Sequence, residues 1–96
     1  MNNLEAFDSV TADLRAMYER KNKDYGDSFN ESLDEDGLIA FKVRAGDKWL
    51  RIKQLLKTGK AEIKSESIRD TIEDLANYCI MAVMWLEEQK KCKQSI

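Results

Sequence analysis

The chain contains no proline and only four glycines in 96 residues, and this scarcity of helix-breaking residues restricts its fold more than any other feature. Proline and glycine are the residues least compatible with a helix interior, so long segments without them favour helices. Leu, Glu, Lys, Ala and Ile are abundant, and the apolar residues recur at helical spacing. The sequence therefore predicts an all-α fold in one domain over residues 1–96.

The apolar periodicity predicts a three-helix antiparallel bundle, with helices at about 3–20, 37–57 and 66–89. Residues 21–37 lack a sustained period and are dense in Asp, Asn, Ser and Gly, which predicts a functional loop. Residues 90–96 are predicted to be a frayed tail. The first two helices have these predicted core faces: Leu4, Phe7, Val10, Leu14 and Met17, then Leu38, Phe41, Ala45, Trp49, Ile52 and Leu56.

The C-terminal helix is apolar on two opposite faces in its second half. One stripe begins polar and becomes apolar: Asp70, Asp74, Asn77, Met81, Met84 and Trp85. The opposite stripe is apolar: Ile68, Ile72, Leu75, Cys79 and Leu86. Such a helix must be covered on both sides, so we expect a homo-oligomer, a dimer or larger, formed through the C-terminal helix.

Composition excludes several classes of function. The net charge of −2 argues against non-specific binding to duplex nucleic acid, which needs a dominant basic surface. No apolar run has membrane-spanning length, and two free cysteines fit a reducing cytoplasm, so we expect a cytoplasmic protein without a membrane partner. The chain has no histidine, which removes the commonest general base and leaves carboxylates, lysines, a tyrosine and an oxygen-held metal for any catalysis.

Charged residues of the second and third helices are expected to face one groove. The second helix supplies cations and one acid, and the third supplies acids and an amide: Arg44, Asp47, Lys48 and Arg51, then Asp70, Asp74 and Asn77. Arginine and lysine suit phosphate, and carboxylates suit magnesium, so this pattern predicts a nucleotide phosphate site. We expect Mg²⁺ on Asp47, Asp70 and Asp74, and base or sugar at Asn77.

The predicted loop adds candidate ligand-binding residues. Lys21 and Lys23 would bind phosphate, and the ring of Tyr25 would stack on a base. A magnesium-activated water would make Asp70 and Asp74 the candidate catalytic residues. A structural alternative stays open, in which the charges of the two helices merely neutralise one another across a seam.

Three sequence blocks carry a resemblance to a known family. They are Lys-Asn-Lys-Asp-Tyr-Gly-Asp-Ser-Phe at 21–29, Val-Arg-Ala-Gly-Asp-Lys-Trp-Leu-Arg at 43–51, and Glu-Ser-Ile-Arg-Asp-Thr-Ile-Glu-Asp-Leu-Ala-Asn-Tyr at 66–78. In this order they resemble the phage and bacterial nucleotide modification associated domain family. That family is more distantly similar to the all-α nucleoside triphosphate pyrophosphohydrolases of the MazG and dimeric dUTPase type.

The resemblance implies a phage-linked role in nucleotide metabolism or DNA modification, and hydrolysis of a nucleotide pyrophosphate linkage with magnesium. Asp74 matches the last aspartate of the enzymes' metal pattern, but Arg44 stands where they have a glutamate. This departure favours an alternative, a non-catalytic nucleotide sensor or sequestering protein. A second alternative, from another class, is a helical protein-interaction module that binds a partner through Met81, Met84 and Trp85.

Overall fold

The computed structural model describes residues 2–58 and 61–94, apart from the side chains of Tyr25, residues 61–67 and residues 93–94. This part of the chain folds into four helices: α1 (Asn3–Tyr25), α2 (Ser28–Asp36), α3 (Leu38–Thr58) and α4 (Ala61–Gln94). The all-α class is confirmed. None of the four described helices combines the length and the apolar character that crossing a bilayer requires.

The predicted loop over residues 21–37 is largely helical, which corrects the expected three-helix arrangement. Helix α1 continues to Tyr25, and α2 fills most of the remaining segment. Gly26 and Gly37 end these two helices with φ angles of 67° and 68°, in the left-handed region that glycine adopts at little cost.

Short backbone hydrogen bonds close both helix ends. The Gly26 N–H donates to the Asn22 carbonyl at 2.8 Å, and the Gly37 N–H donates to the Leu33 carbonyl at 2.7 Å. Between the glycines, Phe29 and Leu33 are four residues apart and both are buried, so α2 has an apolar face that packing stabilises. The polar residues that predicted a loop therefore lie on the outside of a short amphipathic helix.

The long helices match the predicted ones more closely. Helix α3 agrees with the prediction to within one residue, whereas α4 runs beyond both ends of the predicted 66–89 segment. No glycine or proline follows Gly59, so nothing in the sequence stops α4 early. The predicted frayed tail at 90–96 is thus helical through Gln94, and residues 95–96 lie outside the described part.

Helices α3 and α4 pack against each other in opposite directions, and α2 closes one end of the pair. The first turn of α3 lies near the second half of α4, while Lys48 in the middle of α3 reaches Asp74 in the first half of α4. One apolar cluster joins α2, α3 and α4: Phe29, Leu33, Ala40, Phe41, Tyr78, Met81 and Trp85. Leu33 lies at its centre with only 1% of its surface exposed.

Several residues of the predicted core faces are exposed. Leu4 and Phe7 are 77% and 67% exposed, so the predicted packing of the start of α1 is wrong for the single chain. Other large apolar residues are also exposed on α3 and on the outer face of α4: Leu38, Trp49, Leu56, Ile72, Val83 and Leu86. The single chain thus leaves much of its apolar surface in contact with water.

Candidate functional site

The carboxylate of Asp74 binds two lysines that come from different helices. Lys21 of α1 contacts its Oδ1 through Nζ at 2.6 Å, and Lys48 of α3 contacts its Oδ2 through Nζ at 3.2 Å. The side chain of Asp74 is 20% exposed and that of Lys48 is 28% exposed, whereas Lys21 is about half exposed. This arrangement links the three long helices at one point.

The electrostatic environment favours the ionised form of Asp74. Burial alone would raise the pKa of this carboxyl, but hydrogen bonds from Lys21 and Lys48 and the charges of both lysines outweigh burial. The pKa therefore lies below its ordinary value of 3.8. At neutral pH, Asp74 is a carboxylate held between two ammonium groups.

A cleft of about 350 Å³ opens beside this ion-paired group. Helix α1, the turn at Gly26 and the other three helices all contribute to its wall: Tyr18, Lys21, Asn22, Gly26, Ser28, Phe29, Arg44, Asp74, Asn77, Tyr78 and Met81. Phe29 and Tyr78 meet edge to face, with ring centroids 4.8 Å apart. The cleft thus combines a cationic side with an aromatic and apolar side.

Asn77 fixes α1 against α4 at the base of the cleft. It is buried, and its Nδ2 donates to the Leu14 carbonyl at 3.2 Å and to the Met17 sulfur at 3.7 Å. The predicted contact of Asn77 with a base or sugar stays a prediction, because the side chain lines the cleft while its amide N–H groups serve the helix contact.

The structure brings together some of the predicted site residues and leaves others apart. Four line the cleft, and Lys48 joins them through Asp74: Lys21, Arg44, Asp74 and Asn77. Four others are exposed and do not line it: Lys23, Asp47, Arg51 and Asp70. The side chain of Tyr25 lies outside the described residues, so its predicted stacking role stays a prediction.

The predicted magnesium ligands do not form a cluster in the described part of the chain. Within that part, no group of three or more His, Cys, Asp or Glu side chains is placed to hold a metal ion. Of the predicted set Asp47, Asp70 and Asp74, only Asp74 lines the cleft, and both its oxygens bind lysines. The donor set of the described residues therefore does not fit Mg²⁺, which requires several free oxygen ligands.

Two α1 residues of the cleft wall, Tyr18 and Asn22, were not among the predicted site residues, although Lys21 between them was. Tyr18, Lys21 and Asn22 are spaced i, i+3 and i+4, so they share a helix face. The predicted end of this helix near residue 20 leaves Lys21 and Asn22 outside that face, whereas α1 continues to Tyr25. Continuing the helix to the first glycine, Gly26, would have placed the three side chains together.

Comparison with protein-family models gives a match that covers most of the site. The model described as nucleotide modification associated domain 1 matches residues 21–86, more than half of the chain. The chain belongs to this family. The matched segment of this chain runs from Lys21 past Met81, so it includes nearly all of the cleft wall. No curated protein and no solved structure matches the chain, so the expected likeness to MazG and dimeric dUTPase enzymes stays a prediction.

Proposed function

We propose that this protein binds the phosphate groups of a nucleotide in the cleft and acts as a nucleotide sensor or sequestering protein. The observation that carries the proposal is the convergence of Lys21 and Lys48 on Asp74, next to Arg44 in the cleft wall. Two cations thus bind one carboxylate and a third lines the same cleft, in a chain whose net charge is −2. This local excess of positive charge attracts an anion that the whole protein would repel.

The lysines retain the capacity to bind phosphate while they contact Asp74. Each ammonium group has three N–H donors, and the contact with one carboxylate oxygen uses one of them. Arg44 adds a planar guanidinium group that binds phosphate oxygens in pairs. In the absence of ligand, Asp74 holds the two lysines close together, so it acts as a positioning residue for the phosphate site.

Two observations favour a nucleotide over a simpler phosphorylated ligand. The cleft wall includes the aromatic side chains Tyr18, Phe29 and Tyr78, which suit a flat base or a sugar. Its volume of about 350 Å³ falls in the range of small-molecule sites. The family description, which refers to nucleotide modification, supports the same class of ligand.

Magnesium-dependent pyrophosphohydrolysis is the second candidate function, and it follows from the resemblance of Asp74 and its neighbours to the enzymes' metal pattern. The described residues support it less well, because lysines occupy both oxygens of Asp74 while Asp47 and Asp70 do not line the cleft. We therefore propose binding without hydrolysis as the function of the single-chain site.

Calorimetric titration with nucleoside mono-, di- and triphosphates, with and without Mg²⁺, tests the proposal. We expect Arg44→Gln to weaken binding about 10- to 100-fold, as expected for the loss of charge-assisted hydrogen bonds. The matched control is Lys42→Gln, which removes the same charge from an exposed position of α3 outside the cleft wall. Equal affinities for all three proteins would contradict the proposal, and nucleotide cleavage in the titrated samples would favour the enzyme.

We also propose that the outer face of α4 joins two copies of the chain. Cys79 and three large apolar residues are exposed on this face: Ile72, Val83 and Leu86. A chain of 96 residues has little interior of its own, and Leu33 is its one large side chain described as fully buried. Because the single chain needs further apolar burial whenever it folds, a second copy is a better candidate than an occasional partner protein.

A further inference from the structure

A second cavity adjoins the cleft. Its volume is about 230 Å³, and it shares part of its wall with the cleft, including Asn22 and Phe29. Beyond the shared residues it is bordered by Asp27 and Asn30 on one side and by α4 residues, among them Trp85 and Glu88, on the other. A ligand in the cleft would therefore extend into this cavity without crossing a separate wall.

The chemistry of the wall changes between the two cavities. Lys21 and Arg44 border the cleft, whereas neither these nor any other cation appears among the described residues around the second cavity. Two carboxylates, Asp27 and Glu88, border the second cavity instead, and Glu88 Oε1 contacts Lys91 Nζ at 3.5 Å. The first cavity therefore attracts a phosphate group more strongly than the second does, which favours one direction for a bound nucleotide.

Aromatic side chains give the second cavity fixed apolar walls. Phe29 is buried and packs against Tyr78, which restricts its movement. Trp85 donates from its Nε1 to Asp34 Oδ1 at 2.9 Å, which fixes the orientation of the indole ring. Rigid aromatic surfaces suit a nucleobase, because every base offers a flat π face for stacking.

We propose that the second cavity binds the base of the nucleotide, and that this base is guanine. The proposal rests on the proposed phosphate site and deepens it. An ionised carboxylate only accepts hydrogen bonds, and guanine presents two adjacent donors, the N1–H and the 2-amino group, to one such acceptor. Uracil and thymine flank their single N–H with carbonyl oxygens, which a carboxylate repels. Adenine and cytosine each place one amino donor beside a ring nitrogen that accepts, so neither offers two adjacent donors.

The preference for guanine is tested by measuring the affinity for four nucleoside diphosphates, those of guanosine, inosine, adenosine and uridine. Inorganic pyrophosphate serves as the ligand without a base. Inosine differs from guanosine only by the missing 2-amino group. We expect guanosine diphosphate to bind about tenfold more tightly than inosine diphosphate, the scale of one well-formed base contact. The adenosine and uridine compounds should bind more weakly still.

Glu88→Gln and Asp27→Asn test the two carboxylates. We expect at least one of them to reduce the preference for guanosine over inosine diphosphate to less than about threefold, with pyrophosphate affinity unchanged. Glu87→Gln is the matched control, because Glu87 is an exposed neighbour on α4 that does not border the cavity. Thermal unfolding of each variant verifies the fold.

The outcomes separate the two proposals. Equal affinities for the four nucleoside diphosphates, or a guanosine preference that both variants retain, would overturn the assignment of the second cavity and leave the phosphate site standing. Failure of all nucleotides and of pyrophosphate to bind would overturn the phosphate site and, with it, the guanine subsite.

Discussion

We expect the Asp74→Asn variant to bind nucleotides more tightly than the wild-type protein in the absence of Mg²⁺. Asparagine keeps an oxygen that accepts a hydrogen bond from a lysine, so Lys21 and Lys48 remain close to each other. The substitution removes the negative charge that lies beside the proposed phosphate site. A metal ligand would show the opposite behaviour, since its removal weakens any binding that depends on the ion.

The magnitude follows from the contact between Asp74 and Lys21. The carboxylate oxygen lies 2.6 Å from Nζ, and a phosphate oxygen bound to another N–H of this ammonium group would lie about 2.8 Å from Nζ. Because the N–H donors of an ammonium group are about 109° apart, the two oxygens would be about 4.4 Å apart, which corresponds to a repulsion of about 1 kcal/mol in bulk water and about 4 kcal/mol at an effective dielectric constant of about 20. Weaker hydrogen bonding of the lysines to asparagine offsets part of this gain, so we expect a net gain of about 1 kcal/mol, roughly fivefold in affinity.

Isothermal titration of adenosine diphosphate into both proteins, in buffer with a metal chelator, measures the difference. The titration should be repeated at several salt concentrations, because the gain is electrostatic and falls as salt screens the charges. A loss of affinity of about tenfold or more, in a variant that remains folded, would refute the inference that the negative charge of Asp74 opposes phosphate binding.

Further predictions concern stability and assembly. Because its folded-state pKa is lowered, Asp74 stabilises the fold above its unfolded value near 3.8, and this contribution is lost as pH falls through the folded value. Urea denaturation of Asp74→Asn should show a loss of about 1–2 kcal/mol at pH 7 that disappears in acid, and a pH-independent difference would contradict the lysine contacts. Leu33→Ala should lower the free energy of unfolding by about 2–5 kcal/mol, whereas Leu56→Ala, at an exposed position, should cost under about 1 kcal/mol in the same assay. Val83→Glu should convert the oligomer to a monomer by light scattering, with Lys42→Glu as the exposed control; a wild-type monomer at micromolar concentration would contradict self-association through α4.

Local sequence signals predicted the helical class and the approximate positions of α3 and α4. These signals are the absence of proline, the spacing of apolar residues and the position of Gly59, all of which act within a few turns of chain. They failed over α2, where Asp, Asn and Ser suggest a loop. This segment is helical because Phe29 and Leu33 are buried against α4. These contacts join residues about 50 positions apart in the sequence, so local patterns do not reveal them.

The candidate site was predictable in its residue types and less so in its pairings. Helical spacing predicted Arg44 and Lys48 on one face of α3 and Asp74 on a facing side of α4, and in the structure Lys48 contacts Asp74. The contact with Lys21 was not predictable, because it depends on how α1 crosses α4. Because lysines contact both carboxylate oxygens of Asp74, neither oxygen is free for the predicted magnesium ion.

The most direct test of the central claim is to map nucleotide binding on the protein by NMR. Guanosine diphosphate would be titrated into ¹⁵N-labelled protein with a metal chelator present, and the backbone amide signals would be followed. We predict that the largest changes cluster around Lys21, Arg44 and Asp74, and that they are lost in Arg44→Gln. An absence of changes at millimolar ligand, or changes confined to the outer face of α4, would contradict a nucleotide phosphate site in the cleft.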